Sequence, residues 1–204
     1  MNERWEKARR FSHIGMSSSN NFTYAFQYLS AYEVLYKSNQ PVDTIALPML
    51  YLMRHYLELA LKYNVAYLSD FSGSMNMAGN SGNSSHSLSK LSNAFHDHWV
   101  NTKAKYNINV DDRELVSDFN ELIHKLEEID QFAISFRFSH NREQAKNFKW
   151  TDTIDIHALN KLFENAKILL NHTIDVFEDC TGLMDNRVTK EELLAQNQRK
   201  KTET

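Results

Sequence analysis

Between residues 45 and 68 the chain reads IALPMLYLMRHYLELALKYNVAYL, and its apolar positions recur three and four residues apart, the spacing of a helix face. On a helical wheel Leu47, Leu50, Met53, Leu57, Ala60, Leu61, Val65 and Leu68 share one broad arc. Arg54 falls inside it, about 40° from Leu50, and Glu58 follows one turn later near its edge, where the two can pair. A guanidinium does not shed its charge on burial, so an inward arginine requires an anion or a polar pocket. His55, about 140° from Leu50 on the same wheel, is expected to point away from Arg54, at the surface or at a dimer contact. Asp43 or Thr44 is the expected cap.

The remaining periodic segments are arranged around this one. A first helix is predicted from the serine cluster Ser17-Ser18-Ser19 to about residue 39, with Tyr24, Tyr28, Ala31, Tyr32 and Leu35 as its buried face and Pro41 beyond its end. After Leu68 the pattern gives way to SDFSGSMNMAGNSGNSS, which has little apolar surface to offset ordering and reads as a long loop within the domain. A third, shorter helix starts near His86 and ends near Trp99, packing through Leu88, Leu91 and Phe95. A polar linker over 101–110 then leads to Asp111 or Asp112 as the cap of a fourth helix, whose stripe is Leu115, Phe119, Leu122, Ile123, Leu126 and Ile129. Residues 134–138 alternate in a way that suits an extended piece. The last main helix runs from Ile156 to about Phe177, and 183–204 carry a weaker helical pattern with a frayed end.

These segments predict an all-α bundle of four to five main helices with one core and a long loop after the second. The expected organisation is an N-terminal extension at 1–16, a helical domain at 17–180 and a C-terminal tail or short helix at 181–204. Only five Gly and two Pro in 204 residues agree with long helices over a turn-rich sheet. Twenty-three basic residues against 26 acidic ones give a net charge of −3, which speaks against a constitutive duplex-DNA binder but leaves room for a local phosphate site. Cys180 is the only cysteine, so a reducing, cytoplasmic setting is the simpler expectation. Charges interrupt every apolar run before it reaches membrane-spanning length, and no membrane partner is expected.

Three stretches in order, LPMLYLMRHYLELALK at 47–62, HSLSKL at 86–91 and QFAISFRFSHNRE at 131–143, resemble the HEPN superfamily. The likeness is to a branch with an Arg-His helix, a His-x-Leu-x-x-Leu helix start, and an Asp followed by a Phe-Arg-aromatic segment. It covers roughly 20–178 and falls on Arg54-His55 with Glu58, on His86, and on Asp130 with Phe136-Arg137-Phe138. The resemblance implies a compact bundle that forms a homodimer. It also implies RNA or a nucleotide as ligand, an antitoxin or nucleotidyltransferase as partner, and a place in prokaryotic defence or toxin–antitoxin systems. Many relatives are metal-independent RNases with an Arg, four to six intervening residues, and a His; that spacing is absent here.

Residue chemistry leaves catalysis open. Arg54 and Arg137 suit phosphate, His86 or His140 suits proton transfer, and Glu58 or Asp130 suits orienting a basic group. The same set suits an inert framework of Arg54–Glu58 and Asp130–Arg137 salt bridges. No cofactor is expected, since the glycine pattern of a dinucleotide or phosphate loop is missing. No metal site is expected either: His96-Asp97-His98 has ligand types, but neighbours on a helix diverge by about 100°.

Overall fold

A computed structural model describes residues 20–75, 86–130 and 135–195. Its helices are α1 (Asn21–Tyr36), α2 (Val42–Ser72), α3 (Leu88–Tyr106), α4 (Arg113–Ile129) and α5 (Ile156–Thr181), with a short helical turn at 190–195. The molecule is an all-α bundle, and the described residues contain no sheet, only an isolated antiparallel bridge between His140 and Lys146. The predicted extension at 1–16, the serine cluster at 17–19 and the end of the tail lie outside the described residues.

α2 is the axis of the bundle, packing against α1, α3 and α5, while α4 joins α3 to α5. Met53, Leu57, Leu61, Val65 and Leu68 are fully buried, as their shared arc requires, and meet Phe163, Phe177, Leu122 and Leu91 in one continuous core. Leu47 is an exception and stays exposed near the start of α2. The helix also outruns its predicted end: Phe71 is buried with its ring centroid 4.7 Å from that of Phe177, so core packing carries the helix through the polar SDFS to a left-handed Gly73. Of the predicted loop after α2, residues 76–85 lie outside the described residues.

Several ends and faces differ from expectation for readable reasons. α1 is capped by Asn20, whose side chain accepts from the Thr23 N–H at 3.0 Å while Thr23 caps in return. Its buried face is Ala25, Leu29 and Tyr32; Tyr24 and Ala31 turn to solvent, because the Tyr32 hydroxyl donates to Asn160 on α5 and so fixes the rotation. α2 begins after Pro41 without a side-chain cap, and the Thr44 hydroxyl donates to the Pro41 carbonyl instead of capping. α3 passes Trp99 and runs through the predicted linker to Tyr106. Thr102 is buried, Lys103 reaches Asp112 at 2.8 Å, and the helix stops at Asn107 in the left-handed region. Asp112 precedes α4 but makes no cap bond, since its carboxylate takes the Trp99 indole N–H at 2.6 Å and Lys103. Leu193, in the short turn after α5, is buried in the same core, so the packed body extends past residue 180.

Candidate functional site

Arg54 is 2% exposed, on the core-facing arc of α2, and each of its three nitrogens has a partner. Nη1 lies 3.6 Å from Glu58 Oε2, and Nη2 donates to the His86 carbonyl at 2.9 Å. Nε donates to the Asp130 carbonyl at 3.3 Å and lies 3.9 Å from that residue's Oδ2. One guanidinium therefore joins the middle of α2, the entry to α3 and the exit from α4. Burial pulls the Arg54 guanidinium down from its ordinary value, Asp130 and Glu58 pull it back, and it stays charged.

Glu58 is the second hub. Oε1 accepts from Lys62 Nζ at 2.7 Å and lies 2.9 Å from His86 Nδ1. Burial opposes its charge, but hydrogen bonds from Lys62 and His86 outweigh burial and hold the carboxyl below its ordinary range. Because an ionised carboxylate only accepts, His86 Nδ1 carries the hydrogen and Nε2 is left able to take or return a proton. The His86 side chain is 67% exposed, so this oriented imidazole is accessible to a ligand.

The segment after α4 covers this network. Asp130 Oδ1 accepts the Ser135 N–H at 2.9 Å, and 135–137 form a turn instead of the predicted extended piece, whose first residue, Ile134, lies outside the described residues. Phe136 is buried and stacks on Phe148, with centroids 6.2 Å apart. Beyond it the Asn141 side chain accepts from the Glu143 and Ala145 N–H groups, closing a tight hairpin. Arg137, with its guanidinium over the Phe138 ring, is thereby exposed at the lip, and His140 Nδ1 lies 2.9 Å from Ser139 Oγ.

Between α2 and this hairpin lies a cleft of about 590 Å³, and among its lining residues are Arg54, Glu58, His86, Arg137, His140 and Arg142. Five of the six predicted site residues meet there. Asp130, the sixth, is buried behind Arg54 and supports it. No protein-family model, curated protein or solved structure matches this chain.

Arg54 is already neutralised by Glu58 and Asp130, so its geometry suits holding the cleft together more than gripping a ligand. The exposed guanidiniums at the lip are those of Arg137 and Arg142. Sequence reasoning passed over Arg142, Tyr51 and the cleft position of His55. His55 does not point away: it stacks on Tyr51 at 5.6 Å and meets the edge of Tyr28 at 4.3 Å, and all but Tyr28 line the cleft. The hairpin spans a wide sector of α2, so two neighbours that diverge on the wheel open into one space. The Tyr51–His55 pair, one turn apart, was the available signal. Burial, then the nearby cations Lys62, Arg137 and Arg54, lower the His55 pKa against Glu58 and favour its neutral form.

The predicted framework is present in part as the Arg54–Glu58 pair, while Asp130 meets Arg54. His98 of the His-Asp-His run is buried with Nδ1 2.6 Å from Ser72 Oγ, a core contact. Among the described residues no three His, Cys, Asp or Glu side chains gather in metal-binding geometry, and no helix is long and apolar enough to cross a membrane.

Proposed function

We propose that this chain is a HEPN-like protein that binds the phosphate of RNA or of a nucleotide in the cleft between α2 and the hairpin. The observation that carries this reading is the lining: the exposed guanidiniums of Arg137 and Arg142 beside the Arg54–Glu58 pair, with histidines and aromatic rings around them, in a molecule whose net charge is −3. Arg137 and Arg142 take phosphate oxygens, Arg54 holds the wall, and Tyr51 and Phe138 offer faces to a base. Titration calorimetry with 5′-AMP and with a short RNA tests it. Wild type is expected to bind both, Arg137→Ala and Arg142→Ala each to weaken binding by about tenfold, and Arg113→Ala, at the start of α4, to change nothing. Failure of wild type to bind either ligand, or equal binding by all variants, removes the proposal.

A second reading, metal-independent endoribonuclease, is favoured by the Glu58–His86 pair at 2.9 Å. In that reaction His86 Nε2 takes the 2′-hydroxyl proton and the oxygen attacks phosphorus. The P–O5′ bond breaks, and the leaving oxygen takes a proton from His140, giving a cyclic phosphate and a 5′-hydroxyl end. RNA incubated with EDTA, followed by mapping of the termini, tests this. Cleavage that survives in both His86→Ala and His140→Ala removes the assignment. The third reading, a noncatalytic dimeric partner, draws on the neutralised Arg54 and on the exposed Phe26, Val34 and Ile168 of α1 and α5. A monomer by light scattering at high concentration would set it aside.

A further inference from the structure

The hairpin continues beyond the cleft. Its outgoing arm carries Arg137, Phe138 and His140, which line the cleft; its return arm carries Lys146, Phe148, Lys149 and Trp150 outside that lining. The arms are held in register: the Asn141 N–H donates to the Ala145 carbonyl at 2.8 Å, and the Asn147 N–H to the Ser139 carbonyl at 3.0 Å. Gln144, at φ 63°, makes the reversal. Lys146 therefore sits directly across from His140, and Lys149 and Trp150 follow the Phe148 ring that stacks on Phe136, next to Arg137. Two residues of chain reach no more than about 7 Å, so the Trp150 backbone lies within that distance of Phe148.

Two features of the hairpin lie outside the core. Trp150 is 101% exposed, a whole indole in water with no share in the core, whereas Trp99 is buried and hydrogen-bonded. Residues 137–150 also carry four cations and a single carboxylate, the opposite sign from the chain as a whole. An exposed indole that follows Lys146 and Lys149, on the arm paired with the cleft-lining one, offers a ring for one base and charge for the phosphates beside it.

The geometry points to the hairpin as a platform for a single-stranded nucleic acid leaving the cleft, with its backbone over Lys146 and Lys149 and a base stacked on Trp150. This rests on the phosphate-binding reading of the cleft and extends it from one nucleotide to a strand. A duplex hides its base faces in its own stack, and a mononucleotide has no second base to reach the indole; a single strand has both an open face and successive phosphates.

The test uses the full chain and labelled single-stranded RNA and DNA of about 12 nucleotides, a size typical of single-strand sites. A duplex of the same sequence, polyglutamate as competitor, and 5′-AMP measured in parallel as the report on the cleft complete the set. Single strands are expected to bind at least tenfold more tightly than the duplex and to quench tryptophan emission. Trp150→Ala is expected to abolish the quenching and weaken strand binding about tenfold while leaving AMP binding unchanged, and Trp150→Phe to restore most of the affinity. Replacing both Lys146 and Lys149 by Ala is expected to lower the slope of log affinity against log salt by roughly 1.4. Either a preference for RNA, which brings in the 2′-hydroxyl, or equal binding of RNA and DNA, which leaves backbone and stacking, supports the platform. Duplex binding as tight as the single strand, a silent Trp150→Ala, or displacement of RNA by an equal charge of polyglutamate overturns it. If AMP still binds in any of those cases, the cleft reading stands alone; if neither AMP nor strand binds, both readings fall.

Discussion

At the scale of single residues, the Arg54 network sets how the protein responds to mutation and to acid. Arg54→Ala removes the cation that Glu58 and Asp130 share and leaves Lys62 on Glu58. The expected cost is about 3–5 kcal/mol in urea unfolding, the range for breaking a buried pair by removing one partner. Acid acts in two steps. The folded His55 pKa is below its ordinary 6.5, so the unfolded chain takes the proton first, and stability declines as pH falls beneath 6.5. The folded Glu58 pKa is below its ordinary 4.5, so its contribution is complete above that value and is lost as pH falls from there toward the depressed one. Melting temperatures across pH 8 to 3.5 should show both declines in wild type and only the lower one in His55→Gln. An unchanged upper decline in that variant would place its origin elsewhere. Arg54 and Glu58 were legible from the sequence because a charge on an apolar arc is a local anomaly. The place of His55 in the cleft was not, because the facing wall is a hairpin about 80 positions further along the chain.

At the scale of elements, sequence periodicity located each main helix among the described residues, and tertiary partners then moved the ends. α3 outran its apolar stripe because Thr102 is buried and Lys103 is held by Asp112, which no local pattern reveals. α1 presents a different face from the one its tyrosines suggested because Tyr32 is tied to α5. The stops are firmer where the backbone itself enforces them. Gly182 ends α5 at φ +80°, and a Cβ there would meet the Arg187 Cβ at 3.3 Å. Gly182→Ala is therefore expected to cost about 1–2 kcal/mol from the left-handed conformation alone. Asn107→Gly, at φ 55°, should be neutral or mildly stabilising, since glycine adopts that region without penalty. Thermal unfolding of the two variants decides between backbone and side-chain control of these helix ends, and equal losses in both would count against the backbone account.

At the scale of the whole molecule, α2 organises the bundle twice, through its apolar arc and through the polar hub on its flank. The apolar contacts of α1 with α2 are local along the chain. The hub is not: Arg54 joins partners 32 and 76 positions away. Closing loops of that length is slow relative to pairing adjacent helices, and a hydrogen-bonded charge is satisfied only once its partners are in place. The hub is therefore expected to form after the helices have assembled and to resist opening without hastening assembly. In stopped-flow traces Arg54→Ala should leave the refolding rate near wild type and speed unfolding by roughly 10²-fold to 10⁴-fold, the share of a late-forming interaction. The wall of the cleft would then be the part of the protein that sets how long a folded copy lasts.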